Sequence, residues 1–190
     1  MQQYTTIERV LSALKLETKD RATIAAIGYE ITMATDTANQ IMGFAFDGDT
    51  AVWYADGPGD TMLYLPAPCA QVVTSVVENG ATLAPTAYHV EGRLGRYLMR
   101  LDANGVPTWW TANPRGIVVT FTPNEHPPAV EQVVIRETVR QWNARTAGYP
   151  EVIGVQGSNA RRARNSFSDE SIDLLKRVAS QYNIRDTVAI

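Results

Sequence analysis

Leu63-Tyr64-Leu65-Pro66-Ala67-Pro68 leads into Val72-Val73-Thr74-Ser75-Val76-Val77-Glu78, then Asn79-Gly80, then Tyr88-His89-Val90-Glu91-Gly92. Two kinds of signal alternate in this stretch. Runs of β-branched and aromatic residues fit a pleated, half-buried surface. Between them stand residues that tolerate the backbone angles of turns. Asn-Gly is the strongest of these, because both residues accept positive φ in a two-residue hairpin loop. The pattern extends both ways. Ala51–Tyr54 and Thr61–Leu65 read as strands before it. Thr86–Val90, Tyr97–Leu101, Trp109-Trp110 and Ile117–Thr122 continue it, with Asn104-Gly105 as a further hairpin. Residues 44–122 are therefore expected to form an antiparallel β meander.

The flanks have helical periodicity. Thr5 and Glu8 have capping-box spacing ahead of Ile7, Val10, Leu11 and Leu14, which recur on one helical face. A second helix is expected from Asp20 to a stop at Gly43, with the stripe Ile24, Ile27, Ile31, Ala34, Ala38 and Ile41. Its small residues allow another helix, of this chain or of a second copy, to approach closely. Beyond the β segment, Pro128 suits a first helical turn. Val130, Val133, Val134, Thr138 and Trp142 give that helix its apolar stripe, ending near Arg145. Ser168 is a good N-cap for a last helix, with Asp169 and Glu170 in its first turn and Ile172, Leu175, Val178, Ala179 and Tyr182 on its face. Residues 146–167 between these helices hold three glycines and Arg161, Arg162 and Arg164. The expected class is α+β: a helical bundle of two N-terminal and two C-terminal helices with an inserted antiparallel β domain. The boundaries are 1–43, 44–122 and 123–190.

Bulk properties narrow the function. The 190 residues carry a net charge of −3 and 45% apolar residues, the balance of an ordinary globular chain. Net charge is −4 through residue 120 and +1 beyond it, so the whole surface is not a nucleic-acid footprint. A lone cysteine, Cys69, allows no internal disulfide and points to an intracellular origin. The first residues lack a basic segment and apolar core, and no apolar run approaches the roughly 20 residues needed to cross a bilayer. No membrane contact is expected.

Active-site chemistry finds little purchase. His89 and His126 are the only histidines, and they read as a strand-face residue and a loop residue. Asp47, Asp49, Asp56 and Asp60 are hard oxygen donors close in sequence, but their Asp-Gly settings shape turns and lack the spacing of a calcium loop. Cys69 reads as a small buried hydrophobe, and Glu78 and Glu91 as surface charge. Gly92-Arg93-Leu94-Gly95-Arg96 lacks the ending of a phosphate loop and reads as a strand connection. No catalytic, cofactor or metal set emerges. Three positive features remain. The arginine cluster suits phosphates or an acidic surface. Trp109-Trp110 is expected to send one ring inward and one outward, the outward one suiting a subunit interface or a sugar. The segment from Ile184 to Ile190 is apolar enough to dock.

The succession of these strands and turns, the Pro-led helix, the polar Gly/Arg/Ser segment and the Leu174-Leu175 to Tyr182 helix resembles the head–tail connector (adaptor) proteins of tailed bacteriophages. The likeness covers nearly the whole chain. It implies a structural, non-enzymatic protein of the virion. Such proteins form a ring, commonly twelvefold, beneath the portal protein, receive a head-closure (stopper) or tail-terminator protein, and let double-stranded DNA through the lumen. On this resemblance Ile184, Arg185, Val188 and Ile190 form a portal-docking arm. Arg161, Arg162 and Arg164 line the channel or bridge subunits, and Ala34, Ala38, Trp109 and Trp110 serve subunit contacts. Another neck or tail-completion protein, or a carbohydrate-binding β module, is the alternative.

Overall fold

A computed structural model describes residues 3–46, 48–92, 94–146 and 167–182. The chain divides into two compact units: Met1–Gly43 with His126–Ala179, and Phe44–Glu125 with Ser180–Ile190. The class is α+β, with helices flanking an antiparallel β segment, as the sequence predicts.

In the helical unit, α1 spans Ile7–Leu14 and α2 spans Arg21–Met42. Thr6, not the expected Thr5, caps α1, its hydroxyl accepting from the Arg9 amide. Thr5 is buried instead, with its hydroxyl unpartnered. The Asp20 carboxylate caps α2 through the Thr23 amide and hydroxyl, at 2.9 and 2.6 Å. At its other end Gly43 takes φ +79°, a left-handed turn that ends the helix at little steric cost. α3 spans Pro128–Thr146, with proline where its missing N–H costs nothing. The final helix, α4, spans Asp169–Tyr182; its N-cap is Ser168, and its last turn belongs to the β unit. Val10, Ile27 and Ile31 are fully buried at the centre of the bundle, packed by Ile7, Leu11, Leu14, Ile135, Val139 and Trp142. Burial of each such side chain contributes about 1.5–3 kcal/mol.

The β unit is not a meander. Its strands are β1 (Ala51–Ala55), β2 (Met62–Tyr64), β3 (Ala70–Glu78), β4 (Ala81–Thr82), β5 (Tyr88–Glu91), β6 (Tyr97–Arg100) and β7 (Ile117–Pro123). They form two antiparallel sheets, ordered β1-β7-β3-β4 and β2-β6-β5. The predicted Asn79-Gly80 turn does join β3 to β4. Pro85 then stops the hairpin: proline cannot extend the ladder, and Pro85–Ala87 instead makes a 3₁₀ turn that delivers the chain to the second sheet. β7 alternates buried and half-buried residues throughout, which suits a central strand. It inserts between β1 and β3, pairing Trp53 with Val119 and Val73 with Phe121. One core serves both sheets, with Val76, Ile117, Val119 and Phe121 from one and Leu63 and Leu98 from the other, around Trp110. The β5–β6 connection passes so close to β3 that a Cβ on Gly95 would lie 2.0 Å from the Ala70 carbonyl oxygen.

Candidate assembly surfaces

Trp109 and Trp110 part company as the sequence suggests, although from a coil and not a strand. Trp110 is 1% exposed and its indole N–H donates to the Leu98 carbonyl at 3.3 Å, so it is core and offers nothing to a second subunit. Trp109 is 71% exposed. Ala34 and Ala38 are fully buried within the chain. Their small size therefore serves packing inside the subunit, which removes them from any surface between subunits. Arg161, Arg162, Arg164, Ile184, Arg185, Val188 and Ile190 lie outside the described residues, as does Asp47.

The remaining chemical candidates settle into local structure. Asp56 accepts from the Arg115 amide at 2.7 Å, and Asp60 from the Thr61 amide and hydroxyl, so both shape turns. His89 lies on β5 with its Nε2 3.5 Å from Glu91, and the His126 ring packs on Tyr4 at 5.1 Å. Among the described residues no three His, Cys, Asp or Glu side chains cluster as metal ligands. None of the described helices is long and apolar enough to cross a membrane. Cys69 is fully buried, and burial pushes its thiol pKa up despite nearby Arg96. Its sulfur lies 3.7 Å from the Tyr182 carbonyl oxygen, on the last turn of α4.

Two carboxylates that sequence alone gave no reason to bury prove central. Glu78, expected on the surface, has a side chain only 10% exposed. It accepts from the Thr111 amide at 2.9 Å, from the Thr111 hydroxyl at 3.0 Å and from Arg100 Nε at 3.0 Å. Burial raises its pKa, but the Thr111 amide, then Arg100 and the Thr111 hydroxyl, more than offset this and hold it below the ordinary carboxylate value. Arg100 also donates to the Ala87 and Leu101 carbonyls and stands 5.9 Å over the Trp110 ring. Glu137 on α3 is fully buried. It accepts from the Ser171 hydroxyl, from Arg140 at 2.6 Å, and from the Ser168 hydroxyl and amide at 2.7 and 3.2 Å. Burial raises its pKa too, and these donors again bring it below the ordinary value. Both carboxylates hold the fold. The only advance signal is that an acid at a helical stripe position, three residues after Val134, must be compensated if buried.

The described residues also carry exposed apolar surface. On the first sheet, Val52 and Tyr54 of β1 and Val72 of β3 are 55%, 64% and 57% exposed. Register places Val118, Thr120, Thr122, Ser75 and Val77 on the same face, and none of these strand residues is ionisable. On α2, Tyr29 and Met33 are exposed four residues apart, beside exposed Ala22 and Ala25. Patches of this kind mark interaction sites more often than enzyme sites.

No protein-family model and no curated protein matches the chain. Solved structures do. A chain of the virion of a native gene transfer agent (GTA) particle aligns over 98% of this chain and 91% of its own length, at TM-score 0.55 and 14% identity. A chain of the neck of an empty GTA particle, computed with C6 symmetry, aligns over 92% of this chain and 89% of its own, at TM-score 0.56 and 16% identity. The chain has the fold of a virion neck component. At this level the resemblance to phage connector proteins drawn from the strand-and-turn succession holds along nearly the full length.

Proposed function

We propose that this chain is a structural head–tail adaptor of a tailed phage or phage-like particle, repeated around the particle axis as a ring that joins the capsid vertex to the neck and lets double-stranded DNA pass. The observation that carries this reading is the end-to-end fold match with particle chains, one of them in a neck of rotational symmetry. Mild net acidity fits a lumen through which DNA must slide, since a strongly basic wall would hold phosphates. The ring stands beneath the portal and receives a stopper or tail-terminator protein on its other side. Ile184, Arg185, Val188 and Ile190 supply the arm that docks on the portal. Arg161, Arg162 and Arg164 face the channel or the neighbouring subunit.

Deleting the gene in cells that make the particle tests this. The expected result is DNA-filled heads and separate tails, rejoined by the wild-type chain. Truncation after Asn183 is expected to leave the circular dichroism spectrum unchanged while abolishing co-assembly with portal rings. Complete, tailed particles made without the chain would overturn the reading.

A further inference from the structure

The open margin of β1 suggests how copies of the chain meet. Strand order leaves β1 at the edge of its sheet, with β7 on one side and, among the described residues, no strand on the other. An exposed edge is a template for a further strand, and chains that must avoid this defend it with charge, proline or a bulge. Within β1 there is none of these, the nearest charges being Asp49 and Asp56 beyond its two ends. Its five residues, Ala51-Val52-Trp53-Tyr54-Ala55, pair with β7 in unbroken register. β3 behaves otherwise: its register with β7 slips between Ala70 and Val72 and again between Val73 and Ser75. Such bulges twist a margin away from regular pairing. The opposite edge of the sheet is the two-residue β4, so β1 is the longer of its two edges.

From this we propose that the β1 edge is completed by an extended segment of a neighbouring copy, which adds a strand to the sheet. The inference rests on the ring reading above. The ring itself favours a second copy as the occupant. Around a rotation axis, each copy is flanked by identical copies and must offer them complementary patches. Main-chain hydrogen bonds would then supply affinity, and the Val52 and Tyr54 side chains register.

Hydrogen exchange on rings of the full-length chain, from purified protein or stripped from particles, tests the seam. The β1 amides are expected to exchange at least about tenfold more slowly in rings than in the free chain. Tyr54→Cys with a short thiol-to-amine cross-linker, applied to particles, is expected to give products of two or more copies of the chain. The buried Cys69 leaves the new thiol as the reactive one. Val52→Lys with Tyr54→Lys is expected to abolish rings, while Tyr29→Lys with Met33→Lys keeps them. Rings whose β1 exchanges as in the free chain would overturn the seam and leave the ring standing. A cross-link from Tyr54→Cys only to a different protein would overturn it too, assigning the edge to that partner. Absence of any ring, alone or in particles, would bring down the adaptor reading itself.

Discussion

Glu137 in the helical unit and Glu78 in the β unit are both withdrawn from water, and the two units neutralise them differently. Glu78 in the β unit meets a guanidinium that is itself only 18% exposed, so the whole ion pair is withdrawn from water. Glu137 in the helical unit is deeper, yet its guanidinium, Arg140, stays 40% exposed, and its other donors are the neutral groups of Ser168 and Ser171. One unit balances charge with charge. The other spreads a charge over hydroxyls and an amide at a helix start, where the free N–H groups favour a negative partner. In the first case the arginine is indispensable; in the second the serines matter more.

The sharpest way to break this comparison is Arg100→Ala. It strands Glu78 and removes donors from two carbonyls, and is expected to cost about 3–5 kcal/mol, read as a lower urea midpoint for the β unit. Glu137→Ala comes next, at about 2–3 kcal/mol, because the buried Ser171 hydroxyl and the half-buried Ser168 hydroxyl and amide lose their acceptor. Its signature is early loss of structure followed by Trp142, the tryptophan of the helical unit, with the others replaced by Phe. Acid should weaken both units. Each carboxylate has a folded pKa below its ordinary value of 4.5, so its stabilisation is complete above that value and fades as pH falls through the lower folded value. Urea midpoints should be flat from neutral pH down to about 5.5 and drop below about 4.5. A rise on acidification would contradict the assignment. Arg140→Ala should cost no more than about 1 kcal/mol, since its charge is largely solvated. An Arg140 variant as damaging as Arg100→Ala would erase the distinction.

The residues that ended elements were legible because their physics is local. Asp20, Gly43, Asn79-Gly80, Pro128 and Ser168 all act within a few neighbours, and all stand where sequence alone places them. Strand order was not legible. Alternation along β7 tells which side chains face the core, but not that β1 and β3 are its neighbours, since pairing partners lie tens of residues away. The two carboxylates were missed for the same reason: Glu78 finds Thr111 33 residues on, and Glu137 finds Ser171 34 residues on. The Thr5–Glu8 spacing misled because the neighbouring Thr6 serves equally well as a cap, and burial claimed Thr5. For the assembly surfaces, Tyr54 read only as a member of an aromatic run, and alternation told that one of Trp109 and Trp110 faces outward but not which; exposure, which singles out Tyr54 and Trp109, is a property of the folded chain.

The last turn of α4 ends inside the β unit, where Tyr182 packs edge-on to Phe46 and the Gln181 carbonyl accepts from Arg96. Beside it sits the chain's one thiol, facing the Tyr182 carbonyl. Cys69 is therefore a clock supplied by nature. A reagent that alkylates sulfur reaches it when this contact parts, so the rate of labelling reports openings of the last turn of α4, with no added probe and no mutation.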